Sequence, residues 1–195
     1  PALAVALCMK AEHTWLSSLS HNDRKGVLGF RYMDDLLVFH SPQIKQQSLT
    51  TIFPHPLSLE LEDIHNNSFR FLQTWVHLRP NNTMDIQFYH KNTVRKEEHK
   101  PLLKSVVPFD SHWPKHMHLG RVIGALHSVY HHVNSDFNVH KGTIQLMAEF
   151  KDLGLTHSML QTALSRLHKQ TKSRGFKTAL SVLTRSKKSR HLFER

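Results

Sequence analysis

The sequence predicts an α+β protein in which a first half of short strands and supporting helices is followed by an all-helical second half. Two observations carry this. Up to residue 90, short apolar runs and alternating segments are divided by clusters of Asn, Asp, Gly and Pro, the punctuation of strands and turns. Beyond residue 115, apolar residues recur at i, i+3, i+4 and i+7, the period of helices with one buried face.

Leu3, Leu7, Ala11 and Trp15 fall on one helical stripe between Pro1 and Leu19, with Pro1 tolerated in a first turn. Residues 21–26 include Asn22, Asp23, Lys25 and Gly26, a run that ends the helix and opens a strand at Val27. Val27–Arg31 and Leu36–Phe39 are short strands around Tyr32-Met33-Asp34-Asp35, which predicts a β-hairpin. After Ser41-Pro42, the residues Ile44, Leu49, Ile52 and Phe53 predict a short amphipathic helix, closed by Pro54 and Pro56. Leu57, Leu59 and Leu61 alternate with Ser58, Glu60 and Glu62, the pattern of a half-buried strand. Phe69–Leu78 and Met84–Tyr89, joined through Arg79-Pro80-Asn81-Asn82, predict a second hairpin.

Residues 91–114 are polar, hold Pro101, Pro108 and Pro114 and lack a sustained period, so they read as a connector. Leu119, Val122, Ile123, Leu126, Val129, Tyr130 and Val133 then mark a helix of about four turns. Further helices are predicted over Val139–Leu153, Thr156–Lys169 and Lys177–Leu183, with Gly154 and Gly175 as stops.

The charge balance points to a polyanionic partner. Lys and Arg number 26 against 15 Asp and Glu, a formal charge of +11 in 195 residues, which favours nucleic acid over an acidic protein surface. The basic residues crowd toward the C-terminus, where Lys172, Arg174, Lys177, Arg185, Lys187, Lys188 and Arg190 suit a surface that tracks phosphates without reading sequence; for the last ten residues the alternative is a frayed, solvated tail. A single cysteine, Cys8, excludes an intrachain disulfide and a thiolate zinc cluster and fits a reducing, intracellular setting, nuclear or cytoplasmic. The longest apolar run, Ala2–Met9, is far too short for a bilayer span, so no membrane association is expected.

Adjacent carboxylates at a hairpin tip repel each other, and a bound divalent cation removes that penalty. Mg²⁺, or Mn²⁺ in its place, takes oxygen ligands and keeps waters and phosphates in its shell, so one or two carboxylates suffice from the protein. Asp34 and Asp35 are therefore the candidate catalytic and metal-binding pair, with Asp34 the closer ligand. Consecutive strand residues point to opposite faces, so both reach one site only if the turn twists between them. The alternative is a surface turn in which the two side chains cap backbone amides. Among the 18 histidines, His127 and His131 stand four apart on a predicted helix, a spacing that lets two imidazoles share one metal ion; no third ligand is evident, and a wet helix face is the alternative for them as for His116 and His118. Trp113 and Phe109 suit either base stacking or a buried anchor.

Phe30-Arg31-Tyr32-Met33-Asp34-Asp35-Leu36-Leu37-Val38-Phe39 resembles the Tyr-x-Asp-Asp hairpin of reverse transcriptases, flanked by the hydrophobic strands of that family. Pro1-Ala2-Leu3-Ala4 through Glu12 is similar to the end of the family's preceding motif, where a Gly-x-x-x-Ser-Pro loop leads into a helix. Leu57–Glu62 and Phe69-Arg70-Phe71-Leu72 resemble the strands closing the palm in Penelope-like and related non-LTR retroelement enzymes. His90-Lys91-Asn92-Thr93, Ser111-His112-Trp113-Pro114 and a helix carrying Arg121 resemble the start of that group's thumb.

The resemblance implies the C-terminal part of a polymerase palm over residues 1–90, a connector over 91–114 and a helical thumb with a basic tail over 115–195. It implies RNA-templated DNA synthesis by two-metal nucleotidyl transfer, with an RNA template, a DNA primer and deoxynucleoside triphosphates as partners. Tyr32 and Met33 would lie near primer and template, and Lys91, Arg121, Lys172, Arg174 and Lys177 would hold the duplex. In the family a further catalytic aspartate and the fingers precede the position of Pro1, so these 195 residues alone are expected to be inactive. Two departures stand out: the family's Phe-Leu-Asp is Phe71-Leu72-Gln73, and no lysine lies between Phe53 and Leu57, where the family often has a pyrophosphate-protonating residue, which leaves His55 as the titratable candidate there or as an ordinary loop histidine. A non-catalytic nucleic-acid-binding remnant of such a polymerase is the alternative reading. A different palm-type nucleotidyl transferase shares the carboxylate logic without the thumb order.

Overall fold

The computed structural model describes residues 2–62, 64–90, 92 and 109–186, which fall into two compact units, Pro1–Ile64 and His65–Arg195. Both mix helix and antiparallel strand, as the α+β reading requires. Among the described residues no helix is long and apolar enough to cross a membrane.

In the first unit, helix α1 (Ala2–Ser18) is followed by a one-turn helix α2 (His21–Lys25), where the sequence suggested only a break. Ser20 is the reason: its hydroxyl accepts from Asp23 N, the N-cap that nucleates the turn. Strands β1 (Val27–Tyr32) and β2 (Asp35–His40) pair antiparallel from Val27↔His40 to Tyr32↔Asp35. Helix α3 (Gln46–Thr50) is shorter than the apolar spacing suggested. The core is small: Trp15, Ile44, Leu49 and Ile52 are buried, with Leu36, Val38, Phe53 and Leu59 packed around them. Of the predicted α1 stripe, only its C-terminal end is used, since Trp15 is buried whereas Leu3 and Leu7 are exposed.

The expected strand over residues 57–62 does not form. Alternation makes a strand only where a neighbour supplies hydrogen bonds, and Leu57 and Leu61 remain exposed while Leu59 alone packs inward.

The second unit opens with β3 (Ser68–Phe71), β4 (Thr74–Leu78) and β5 (Met84–Phe88), a sheet in sequential antiparallel order. The predicted single strand Phe69–Leu78 is thus two, folded back at Leu72-Gln73 so that Phe71 pairs with Thr74. Beyond the connector, the described residues form four helices: α4 (Lys115–His132), α5 (Asp136–Asp152), α6 (His157–Thr171) and α7 (Arg174–Ser186). Their inward faces, from Val122, Leu126 and Val129 through Leu164 and Leu167 to Phe176, form one core to which β5 adds Phe88. The ends of these helices follow local chemistry. Ser135 and Thr156 accept from Asn138 N and Met159 N as N-caps, and Gly154, at φ 89°, closes α5.

Gly175 is not the stop that its residue type suggested. It sits in the first turn of α7, where an added Cβ would meet Asp136 O at 2.5 Å and Val139 Cβ at 2.7 Å. Its role is close approach of α7 to α5. The stop is Lys172, in left-handed conformation at φ 57°.

The sheet's outer strand β5 is fastened to α5 and to the turn before it through asparagines. Asn134 accepts from Ile86 N (3.0 Å) and donates to Met84 O (2.6 Å), copying the hydrogen bonds of a neighbouring strand. Buried Asn138 donates to Ile86 O (2.9 Å) and to the Asp85 carboxylate (2.7 Å).

Candidate active site

Tyr32, Met33, Asp34 and Asp35 form the β1–β2 turn. Tyr32 and Asp35 are its paired ends, Met33 and Asp34 its two central residues. All four are exposed. Cross-strand partners point to one face, so Asp35 lies on the same face as Tyr32, Phe30 and Leu28, while Arg31, Leu36 and Val38 lie on the other. Asp34 belongs to no strand, so the expected conflict of two consecutive strand residues does not arise.

Met33 carries the turn at φ 54°. A two-residue hairpin turn with positive φ at its first central position takes glycine most cheaply. For methionine this conformation costs on the order of 1 kcal/mol. Leu72, in the β3–β4 turn, takes the same φ of 54°. The two positions differ in surroundings: Leu72 is half-buried, whereas Met33 is 72% exposed. Burial accounts for an apolar side chain at Leu72. Nothing among the described residues packs on Met33 to account for it.

The turn is braced from behind by Arg31, which the sequence reading passed over. Its Nε lies 2.7 Å from Glu12 Oε1, and its guanidinium donates to Met33 O (3.3 Å) and to Val5 O (3.5 Å). One side chain thereby joins two turns of α1 to the carbonyl between Met33 and Asp34. The signal was an arginine on an otherwise apolar strand, preceded by a single half-buried acid on α1.

The donor set suits Mg²⁺ in kind, being hard carboxylate oxygens open to solvent beside room for waters and phosphates. Among the described residues no group of three or more His, Cys, Asp or Glu side chains is placed to hold a metal ion. Asp34 and Asp35 would be at most two ligands of such an ion.

The remaining predicted contacts belong to the second unit. Lys172, Arg174 and Lys177 are exposed where α6 ends and α7 begins, and Arg174 and Lys177, three apart, share a helix face. No Asp or Glu occurs in sequence between Asp152 and Glu194, and Arg166 and Lys169 on α6 and Arg185 on α7 are also exposed, with the Asp136 carboxylate of α5 beside Arg174. Arg121 is on α4, its guanidinium 5.3 Å from the centre of the Trp113 ring. Phe109 is an anchor, packed edge-on to Phe150 at 6.1 Å and near buried His118 at 5.0 Å. Lys91, Lys187, Lys188 and Arg190 lie outside the described residues, as does most of the connector.

No protein-family model matches this sequence, and neither the curated proteins nor the solved structures compared with it give a match.

Proposed function

We propose that this chain is a palm-and-thumb portion of an RNA-directed DNA polymerase, with Asp34 and Asp35 as carboxylate ligands of its catalytic Mg²⁺. The observation that carries the reading is the Met33 turn. An exposed methionine occupies a position where glycine would be cheapest, directly before two exposed aspartates, and Arg31 braces the turn against α1. Backbone strain without a packing reason is the signature of a position kept for its site. The bound ions would lower the barrier for a primer 3′ oxygen to displace pyrophosphate. The chain's own part is to hold two oxygens at a fixed tip and to offer Tyr32 and Met33 beside them.

The basic surface of α6 and α7 supports the nucleic-acid half of the proposal. It suits a duplex of arbitrary sequence, since lysine and arginine contacts to phosphates are blind to bases. In this reading Lys172, Arg174 and Lys177 hold the template-primer, and binding weakens steeply with salt.

A second reading, a nucleic-acid-binding polymerase remnant without chemistry, is favoured by the absence of a third metal-holding side chain among the described residues. Primer extension on an RNA template separates the two. The test compares this chain with one extended through the coding sequence upstream of Pro1, each with Mg²⁺. Extension by the longer chain, lost in Asp34→Asn, supports the polymerase. Failure of both with salt-sensitive duplex binding retained supports the remnant. Extension by the 195 residues alone would refute the expectation that they lack essential parts.

A further inference from the structure

We propose that His127 and His131 on α4 form a chelating site for a borderline divalent transition ion, of the Zn²⁺ or Ni²⁺ class, separate from any carboxylate-bound Mg²⁺. The two Nε2 atoms lie 3.2 Å apart, within hydrogen-bond distance, and the rings meet edge to face with centroids 4.4 Å apart. An ion about 2.05 Å from each, the usual zinc–imidazole length, would see them about 100° apart, close to the tetrahedral angle. The sequence offers the spacing, and the structure adds the short separation of the two nitrogens.

The pair is also held in place. Tyr130 stands edge-on to His131 at 5.3 Å and near-parallel to His127 at 6.4 Å, and its other neighbour is Phe176 of α7 at 6.1 Å. Phe176 is fully buried, as are Leu126 and Val129 of α4, which fixes the helix stretch that carries both rings. The imidazoles themselves remain open to solvent, His127 half-buried and His131 exposed. Among the described residues no third His, Cys, Asp or Glu joins them. Two positions would be left to water, so the site would be an open one.

Imidazole selects zinc, nickel or copper over magnesium, which prefers oxygen. Excess Mg²⁺ should therefore leave this site untouched. That property makes the test independent of the polymerase reading.

The experiment is calorimetric titration of the full chain with NiCl₂ and with ZnCl₂ in excess MgCl₂, repeated on His127→Ala, His131→Ala and the double variant. Other histidines will add weak binding, common to all four proteins. Chelation predicts that the tightest step weakens on the order of 100-fold in either single variant, with no further loss in the double. Two independent imidazoles predict instead a partial loss in each single variant and an additive one in the double, which overturns the proposal. Unchanged binding in the single variants, or no tight step in the unmodified chain, overturns it as well and leaves a hydrogen-bonded imidazole pair. Ring resonances of His127 and His131 provide a second readout. Both should shift together at one equivalent of Zn²⁺, and movement of other histidines first would count against the site.

Discussion

Among the described residues of the His65–Arg195 unit, sixteen buried apolar residues from β5, the four helices and the α5–α6 turn form one cluster. The Pro1–Ile64 unit has four, and there Leu28, Phe30, Tyr32 and Met33 are each at least 50% exposed. The first arrangement is what makes a stable scaffold. The second leaves an apolar face of the hairpin open beside its carboxylates, and two strands alone are marginal in water. The difference separates two uses of apolar side chains: a filled core in the helical unit and a presented surface around the candidate site. It is sharpest for single aromatic residues.

Phe176→Ala should cost about 3–5 kcal/mol, because the ring is fully buried and its removal leaves a cavity among Tyr130 and the α7 contacts. Phe30→Ala, at a position 50% exposed, should change stability by roughly 0.5 kcal/mol or less. Urea unfolding of both variants checks the pair. Equal losses would mean that the hairpin face is covered rather than open.

A gentler comparison uses two glycines of the same helical unit. Gly175→Ala drives a methyl into Asp136 O and Val139 and should cost about 1–3 kcal/mol. Gly120→Ala, with nothing within 4 Å of the new Cβ, should instead stabilise α4 by about 0.5–1 kcal/mol. Thermal midpoints moving in opposite directions are the expected result.

Gly175 also shows where sequence reading ends. A glycine before a helical pattern reads as a stop, and only the approach of α7 to α5 reveals that it is a packing position. The helices α4–α7 were legible because a period of 3.6 is a property of one segment. Strands were less so, since each depends on a partner that no local window contains. Residues 57–62 alternate as well as any strand and have none, while Phe69–Leu78 conceals a turn at Leu72 made by an apolar residue at positive φ. At the candidate site, the Asp34-Asp35 tip was legible from its flanking strands. The Arg31–Glu12 brace was not, because 19 residues separate partners that only the packing of α1 on the hairpin brings together.

Acid should destabilise the unit that holds the four helices. Hydrogen bonds from Gln87, Asn138 and Arg79 hold the Asp85 carboxyl below its ordinary range, and those from Ser173 and Gly175 do so for Asp136. For Glu149, burial pushes upward, but hydrogen bonds from His90 (2.9 Å) and Asn92 (2.7 Å) outweigh it and leave the group lowered. A carboxyl with a depressed folded-state pKa contributes stability that is whole above its unfolded value and lost as the pH falls through the folded one. The α4–α7 core should therefore lose stability progressively from about pH 5 downward. Glu149→Gln should lower stability at neutral pH and flatten that acid slope, as read from urea midpoints at a series of pH values. A slope unchanged by the substitution would show that the His90–Glu149–Asn92 contact contributes nothing.

The smallest effect bears most directly on the hairpin. Met33→Gly removes an exposed side chain from a backbone conformation that glycine adopts freely, and should stabilise the turn by up to about 1 kcal/mol. Leu72→Gly shares the relief of φ but gives up a half-buried side chain, so its net change should be unfavourable. If Met33 is kept for contact with nucleic acid, the stabilised variant should bind template-primer more weakly, or extend it more slowly in the upstream-extended chain. A gain in stability with no such loss would make Met33 an incidental turn residue, its strained backbone no sign of an active site even with Asp34 and Asp35 in place.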